Sequence, residues 1–341
     1  MTIAAHRPLR SRPAPATARL SRLVRQAVAE TALDLRGRVV LTEAATGAYA
    51  VTPVLAAAGG ADRVLAFTRA TRHGTVAEVA QQTRALADAV GVGDRIEVVT
   101  TLDDAVLATV DLVTNSGHLR PLDRRLLERL RPGAAISLMY EAWELATRPG
   151  DVDLRAVVAY GHRVAGTNER HRAVDVFAYL APMAMSVLLQ AQVAVYRSAV
   201  GVVCDNEFEP ALVRGLVGCG ARVRAASTVA GLGAEPLDAI VVALRPRGEP
   251  VVSAAEVDTL ARAHPGAVLV QLWGDLDRDA LAAAGVPVAP AIAPGPGHMG
   301  VLPSAIGPEP VVRLQAGGLK VGQVLLTAAP TREELTYVDL L

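Results

Sequence analysis

The sequence of 341 residues contains little cysteine, few aromatic side chains and no excess of charge of either sign. Its two cysteines, Cys204 and Cys219, are too few for a disulfide framework and too far apart for a CxxC pair, so we expect a reducing, cytoplasmic location. The 34 basic and 34 acidic residues give a formal net charge of zero. Proteins that bind nucleic acid or membrane surfaces need a basic excess or a basic stripe, so we expect neither partner.

Long apolar runs are also missing. The chain has no stretch of about 18 apolar residues that would suit a transmembrane helix. Its first residues are rich in Arg, Pro and Ala and lack the apolar segment of a signal peptide, so we expect residues 1–16 to form a flexible tail. With 51% hydrophobic residues the chain is expected to build a well-packed core, and its length suggests two domains.

Lysine and asparagine are scarce as well. Lys320 is the one lysine among the 34 basic residues, and the asparagines are Asn115, Asn168 and Asn206. This bias, together with abundant Ala, Val, Gly and Pro, indicates a GC-rich coding background such as that of many bacteria, in which A-rich codons give way to codons for Arg, Asp or Ser. The copies that persist are therefore candidates for a chemical requirement, and survival by chance is the alternative.

Short β-rich runs alternate with helical stretches along the chain. The predicted strands cover residues 38–41, 63–68, 95–99, 110–114, 134–140, 163–165, 200–204, 222–226, 239–244, 267–272 and 286–289. Such alternation is typical of right-handed βαβ units. We therefore predict an α/β protein with two doubly wound, Rossmann-like parallel-sheet domains at 17–180 and 181–341, joined by a long helix at 175–197 and carrying a Pro/Gly-rich loop at 290–322.

The loops after the first two strands bear on a nucleotide cofactor. A dinucleotide-binding domain carries GxGxxG after its first strand, whereas this chain has Thr46 and Gly47 there, with one glycine of the three. The sequence therefore leaves two interpretations of this loop: it binds a nucleotide, or the sheet binds no nucleotide there. After the second strand, where an acid would bind the ribose of NAD, the chain has Arg69 and Arg72. Two arginines suit the 2′-phosphate of NADP, and a solvated basic loop is the alternative.

Two stretches of the first half resemble known families. Residues 38–99, with the small-residue loop and the segment GVGDRIEVV, resemble class I methyltransferases, which implies S-adenosylmethionine as an alternative cofactor. Residues 111–169, with the turn LRPGA, resemble the NAD(P) domains of two-domain dehydrogenases such as D-2-hydroxyacid dehydrogenases and adenosylhomocysteinase. The second resemblance implies two Rossmann-type domains and a nicotinamide dinucleotide. The glycine-rich loop and the catalytic Arg, Glu and His of those dehydrogenases are not matched in this chain.

Polar residues follow several predicted strands, at the edge where ligands bind in such sheets. His118 is an acid-base candidate because histidine titrates near neutral pH and Gly117 would let a substrate come close, and a plain hydrogen-bonding role is the alternative. Asn115 is a candidate for cofactor binding. The substrate-binding candidates are Glu141, Asn168, Glu169, Asp205 and Asn206.

The Pro/Gly-rich segment near the C-terminal end combines three more catalytic candidates, His298, Glu309 and Lys320. Glycine allows close approach of a ligand and proline stiffens a loop, so Lys320 would anchor a carboxylate or phosphate, or act as an acid, with His298 as its partner. The alternative is a crossover that packs back on the first domain, in which His298 caps the backbone. No spacing of His, Cys, Asp or Glu suits a metal ion, and we expect none.

Together these patterns predict an oxidoreductase linked to NADP that acts on a small polar metabolite in a cleft between the domains, and they allow a homodimer. A methyltransferase that uses S-adenosylmethionine is one alternative. A two-domain binding protein without catalytic activity is another.

Overall fold

The computed structural model of the chain describes residues 15–341. The tail predicted at 1–16 therefore lies outside the described residues, apart from its last two residues, which belong to the first helix. No helix in the described range is long and apolar enough to cross a membrane.

The chain alternates strands and helices from end to end. The strands are β1 Val39–Glu43, β2 Arg63–Phe67, β3 Ile96–Val99, β4 Leu112–Asn115, β5 Ala135–Leu138, β6 Arg163–Thr167, β7 Ala199–Cys204, β8 Arg222–Ala226, β9 Ala239–Ala243, β10 Val268–Trp273, β11 Val288–Ala289 and β12 Val338–Asp339. The helices are α1 Pro15–Glu30, α2 Val51–Ala58, α3 Val76–Val90, α4 Asp104–Leu107, α5 Arg124–Leu127, α6 Leu154–Ala159, α7 Leu180–Gln190, α8 Glu209–Gly218, α9 Ala254–Ala263, α10 Arg278–Ala283, α11 Glu309–Leu326 and α12 Arg332–Leu335. All predicted strands are present, displaced by at most three residues.

The described residues fold as two compact units, and the first holds residues 15–168 together with residues 312–341. Its seven-stranded sheet has the order β12-β6-β5-β4-β1-β2-β3. All neighbouring strands run parallel except β12, which pairs antiparallel with β6. The order of β1 to β6 is the 3-2-1-4-5-6 arrangement of dinucleotide-binding Rossmann domains. The predicted fold class is thus confirmed for this unit.

Apolar strands and amphipathic helices explain how the first unit forms. Leu41, Leu65, Val113 and Ile136 on adjacent strands are completely buried, as expected for a parallel sheet that helices cover on both faces. The side chain of Thr75 begins α3 with a capping box, because it accepts a hydrogen bond from the backbone N–H of Glu78 while the carboxylate of Glu78 accepts one from the backbone N–H of Thr75.

The second unit comprises residues 169–311. Its five-stranded sheet has the order β11-β10-β9-β7-β8, and all its pairs are parallel. Counted within the unit, this is the 2-1-3-4-5 order of flavodoxin-like sheets. Val202, Val241 and Val270 at the centre of the sheet have no exposed surface. The second half of the predicted fold class is therefore confirmed as well.

The structure corrects two predicted connections. The long helix predicted at 175–197 is the 11-residue α7, which ends at Gln190 because the next residues turn, with Gln192 and Arg197 at positive φ. The boundary predicted at 180 lies between residues 168 and 169, and residues 312–341, which were predicted to belong to the second domain, fold with the first unit. Sequence periodicity does not reveal that a chain returns to an earlier sheet.

The Pro/Gly-rich loop predicted at 290–322 is also corrected, because residues 309–326 form the 18-residue helix α11. Its glycines serve close packing. A Cβ at Gly318 would lie 2.2 Å from Sδ of Met139, and a Cβ at Gly322 would lie 2.2 Å from Cδ1 of Leu112. These contacts lie on the first sheet, so the small residues let the helix approach its strands.

We expect Gly322→Ala to destabilise the protein relative to Gly218→Ala by about 1–3 kcal/mol, the range for forcing a methyl into a packed core. Both glycines lie in helices, so the gain in helix propensity cancels, but no atom lies within 4 Å of a Cβ built at Gly218. The free energy of unfolding from urea titrations measures the difference. Equal stability of the two variants would contradict the packing role of Gly322.

Candidate functional site

The carboxyl ends of β1 and β4 form the switch point of the first sheet, because the strand order reverses between these neighbours. Ligands bind at such points in open α/β sheets. β1 ends at Glu43 and β4 ends at Asn115, so a carboxyl group and an amide stand at this edge. The polar side chains around these two residues form the candidate site of the first unit.

Glu43 is a buried acidic residue at this edge, with 5% of its surface exposed. Its Oε2 accepts a hydrogen bond from the backbone N–H of His118 at 3.1 Å. A Cβ at Gly117 would lie 1.7 Å from Oε2, so only glycine lets the carboxyl group occupy this position. Burial raises the pKa of Glu43, and the His118 N–H and the charge of Arg120 lower it in part.

His118 stands beside Glu43 and titrates in the opposite sense. Burial lowers the pKa of His118, and the positive charges of Arg69 and His73 lower it further. The imidazole is therefore held neutral near pH 7, able to accept a proton, while burial favours the protonated form of Glu43. Burial thus favours the uncharged form of both groups, so the pKa of the acid and the pKa of the base shift toward each other.

The loop that follows β2 carries exposed basic side chains, Arg69, Arg72 and His73. Neither arginine forms an ion pair with another residue in the described range, and Nε of Arg72 donates a hydrogen bond to Nε2 of His73 at 3.2 Å. Oγ1 of Thr46 donates to the carbonyl oxygen of His73 at 3.4 Å, so the loops after β1 and β2 touch. The structure thus places Thr46, Arg69, Arg72 and His118 together.

The loop after β1 differs from a glycine-rich phosphate loop. Gly47 has φ +63° and begins a short 3-10 helix, Gly47–Ala50, that leads into α2. Its backbone N–H, which could face an anion, donates instead to Oε1 of Gln82 at 3.1 Å. An anion at this loop would therefore displace the Gln82 side chain.

Asn115 is tied into a hydrogen-bonded chain behind the edge. Its Nδ2 donates to Oη of Tyr140 at 2.7 Å, and this hydroxyl donates to Oδ2 of Asp151 at 3.2 Å. Arg120 binds the same carboxylate oxygen at 3.1 Å. Burial raises the pKa of Tyr140, which keeps the phenol protonated as a donor. The buried Oδ1 of Asn115 has no hydrogen-bond partner, so one polar atom of this chain is unsatisfied.

Glu141 follows β5 and is 2% exposed. Its Oε2 accepts a hydrogen bond from Nε1 of Trp143 at 2.8 Å. Burial raises the pKa of the nearby Glu144, the ion pair with Arg148 at 3.0 Å opposes the rise, and the charge of Glu141 adds to it. The predicted substrate residue Glu141 therefore belongs to a packed acidic cluster next to the switch point.

Asn168 lies away from His118, at the end of β6. Its Nδ2 donates to the carbonyl oxygen of Thr336 at 2.9 Å, and its backbone N–H donates to the carbonyl oxygen of Tyr337 at 2.9 Å. The carbonyl oxygen of Glu169 accepts a hydrogen bond from Val176 at 2.9 Å. Asn168 thus fastens the segment before β12 to the sheet.

Asp205 and Asn206 occupy the equivalent edge of the second unit, after β7. Oδ1 of Asp205 accepts from the backbone N–H of Arg245 at 3.0 Å, and Oδ2 pairs with Arg247 at 3.0 Å. Nδ2 of Asn206 donates to the carbonyl oxygen of Ala243 at 2.7 Å. The pKa of Asp205 is lowered because these hydrogen bonds outweigh its partial burial. This pair joins the loops after β7 and β9.

His298 lies exposed in the loop before α11. Its Nδ1 donates to the carbonyl oxygen of Pro296 at 3.0 Å, and Gly297 and Trp273 are joined by a 3.3 Å hydrogen bond. The loop thus packs on the end of β10 in the second unit, and His298 caps the backbone as in the alternative interpretation. Glu309 begins α11, within the second unit.

Lys320 lies in a buried hydrogen-bond network of the first unit. It is 3% exposed, and its Nζ donates to the carbonyl oxygen of Ala32 at 3.0 Å and to Oε1 of Gln323 at 3.2 Å, with Oε1 of Glu334 at 3.5 Å. Its ammonium group lies 5.9 Å from the ring centre of Tyr337. The lysine therefore holds α1, α11 and the C-terminal segment together, and these contacts include neither His118 nor His298.

Sequence reasoning missed Glu43 as a site residue. A search for glycines in the loop after β1 does not consider Glu43, which precedes that loop. An apolar strand that ends in one acidic residue is also too common a pattern to indicate a site. The signal that could have found it is the pair of Glu43 and Gly117 at the ends of adjacent strands. Among the described residues, no group of three or more His, Cys, Asp or Glu is placed to hold a metal ion.

Sheets with the strand order of the first unit can bind a dinucleotide at their switch point, and two positions of this chain bear on such a ligand. Arg69 and Arg72, exposed and without ion pairs in the described range, fit a 2′-phosphate at the end of β2. At the loop after β1 the fit requires a neutral Glu43, because an ionised carboxylate would repel a pyrophosphate. The side chains that would hold the group are therefore Arg69, Arg72 and a protonated Glu43.

No protein-family model matches the sequence, and no curated protein matches it significantly. Solved structures are similar in fold. A dipicolinate synthase from Bacillus halodurans has a TM-score of 0.55 and 14% identity, over 87% of this chain and 100% of that chain. The dipicolinate synthase from Bacillus subtilis has a TM-score of 0.54 and 12% identity, over 84% and 95%. NAD-dependent formate dehydrogenase from Staphylococcus aureus, in complex with NAD, has a TM-score of 0.48 and 13% identity, over 82% and 98%.

Proposed function

We propose that this chain is an oxidoreductase that binds NADP at the carboxyl edge of its first sheet and converts a small polar metabolite. The observation that carries the proposal is the pair of exposed arginines, Arg69 and Arg72, at the end of β2 in a sheet of 3-2-1-4-5-6 order. In such domains the end of the second strand meets the adenosine ribose, so these cations would face a 2′-phosphate. The two-domain likeness to dipicolinate synthase supports the fold on which this rests.

The selectivity for NADP over NAD follows from charge. Each arginine can form a bidentate, charge-assisted hydrogen bond with a phosphate. NAD offers a ribose hydroxyl at the same place, and no carboxylate follows β2 to accept a hydrogen bond from it. NADP would therefore gain two ionic contacts that NAD lacks.

His118 is the residue we assign to proton exchange with the substrate. Its lowered pKa, caused by burial and by the charges of Arg69 and His73, leaves a neutral imidazole that can accept a proton from a hydroxyl group at neutral pH. The bound dinucleotide would supply the hydride chemistry. Asn115 and Glu141 lie at the ends of β4 and β5. Through their hydrogen bonds with Tyr140 and Trp143 they would hold the residues beside the substrate in place.

Titration of the purified protein with NADPH and with NADH tests the proposal. We expect NADPH to bind at least tenfold more tightly than NADH in calorimetry at pH 7, because only NADPH presents a phosphate to Arg69 and Arg72. Absence of binding by either dinucleotide at millimolar concentration would end this proposal. Equal affinity would retain a dinucleotide site and remove the assignment to NADP.

A methyltransferase that uses S-adenosylmethionine is the second candidate, and the position of Glu43 favours it. An ionised carboxylate at the switch point would attract a cationic ligand and repel a pyrophosphate. Calorimetry with S-adenosylmethionine and S-adenosylhomocysteine decides between the two, since only one class of ligand should bind. If neither class binds, the two-domain binding protein without catalysis becomes the better interpretation. Location in the cytoplasm, a small-molecule partner and a homodimer stay predictions.

A further inference from the structure

The carboxyl group of Glu43 has two oxygens in different surroundings. Oε2 is engaged by the backbone N–H of His118 at 3.1 Å and packs against the Cα of Gly117. Oε1 has no hydrogen bond to any residue that the structure describes, and it is not one of the fully buried oxygens. One oxygen is therefore fixed by the protein, and the other remains accessible at the switch point.

This asymmetry decides where a proton would reside. In a neutral carboxylic acid the carbonyl oxygen is a better hydrogen-bond acceptor than the hydroxyl oxygen, so the N–H of His118 on Oε2 favours the proton on Oε1. The neutral acid is then a hydrogen-bond donor at the switch point, where ligands bind to a sheet of this type. A phosphate oxygen is the acceptor that an O–H group binds most strongly, through a short charge-assisted hydrogen bond.

We propose that Glu43 binds the pyrophosphate of the dinucleotide as a neutral acid, donating a hydrogen bond from Oε1 to a phosphate oxygen, in place of the glycine-rich loop that the chain lacks. The inference rests on the proposed function, and it specifies how the anion is held. The proton that Glu43 donates remains on the carboxyl group, and no covalent bond changes.

The charges around Glu43 fix the expected pH dependence. The backbone N–H of His118 and the guanidinium of Arg120 stabilise the carboxylate, but burial outweighs them and raises the pKa of Glu43. The charges of Arg69 and His73 act on His118, whose pKa they lower. A bound anion favours the neutral acid further, so affinity is highest at low pH and falls as pH rises through the pKa of Glu43, with uptake of a proton on binding above it.

The test measures the affinity for NADPH and for inorganic pyrophosphate at pH 5.5 and 8.5 in the native protein, Glu43→Gln and Glu43→Met. Glutamine keeps a donor without a charge, and methionine has neither. At pH 5.5 we expect the affinity of Glu43→Gln for both ligands to lie within about threefold of the native value. At pH 8.5 we expect Glu43→Gln to bind them at least tenfold more tightly than the native protein does. Glu43→Met should bind at least tenfold more weakly than Glu43→Gln at both values, since it lacks the donor.

A matched control is Glu97→Gln, an exposed residue on the edge strand β3, which should retain the native pH dependence. Calorimetry in buffers of different ionisation enthalpy should detect proton uptake by the native protein at pH 8.5 and none by Glu43→Gln. Circular dichroism of each variant confirms folding.

The outcomes separate the two proposals. If pyrophosphate binds with this pH dependence and NADPH binds with the same affinity as pyrophosphate, the NADP proposal is wrong and the role of Glu43 is retained. Tight NADPH binding with the same ratio of native to Glu43→Gln affinity at both pH values would overturn the role of Glu43 alone. Weaker binding by Glu43→Gln at pH 8.5 would also overturn it, since the ionised carboxylate would then be the binding form. Absence of binding by both probes would end both proposals.

Discussion

Lys320→Ala is expected to lower the free energy of unfolding by about 2–4 kcal/mol and to leave the affinity for NADPH within about twofold of the native value. The buried ammonium group joins the carbonyl oxygen of Ala32 to the side chains of Gln323 and Glu334, and its removal leaves these polar groups without their shared donor. The loss stays below the upper range for a broken buried ion pair, because 23% of the Glu334 side chain remains exposed to water. Urea unfolding and calorimetry measure the two quantities.

Arg332→Ala, at the exposed start of α12, is the control and should change stability by less than about 0.5 kcal/mol. Lys320→Met, which keeps the volume without the charge, should lie between the two. A variant Lys320→Ala that unfolds like the native protein and yet binds NADPH tenfold less tightly would restore the anchoring role that the scarcity of lysine suggested.

The double substitution Arg69→Glu and Arg72→Glu should reduce the affinity for NADPH by a factor of 100 or more, which corresponds to about 2.7 kcal/mol or more. Each substitution removes a charge-assisted hydrogen bond and adds a charge that repels the 2′-phosphate. NADH lacks this phosphate, so its affinity should change by less than about threefold and the preference for NADPH should disappear or reverse. Calorimetric titration of both ligands gives the comparison.

The same change in net charge at a distant surface provides the control. Arg22→Glu with Arg84→Glu reverses two exposed arginines on α1 and α3, and both affinities should stay within about threefold of the native values. If the control pair weakens NADPH as strongly as the double substitution at 69 and 72, the effect arises from the overall field of the protein. In that case the end of β2 is not the 2′-phosphate site.

Much of the fold was accessible from the sequence because its signals are local. The strand predicted at 239–244 matches β9 to within one residue, because a continuous apolar run determines such an element directly. The helix predicted at 175–197 was too long because the chain turns after Gln190, and the loop predicted at 290–322 was wrong for a different reason. The glycines of α11 suggested a loop in the sequence. The structure shows instead that they let the helix pack closely against Met139 and Leu112.

The site was predicted in part. Arg69, Arg72, Thr46 and His118 were named from their positions after strands, and the structure brings them together at one edge. Lys320 was ranked by scarcity, a property that carries no information about burial. Asn168, also ranked by scarcity, holds the segment before β12, a contact that joins residues 168 positions apart.

By itself the sequence determined that this is an α/β protein with two Rossmann-like sheets, that its formal net charge is zero, and that two arginines follow its second strand. Only the tertiary structure decided that residues 312–341 return to the first unit, that Lys320 is buried in a structural network, and that Glu43 stands against Gly117 at the switch point. The physical reason is that periodicity and composition report how each segment meets water, whereas burial of a charge and pairing of distant residues depend on which segments pack together.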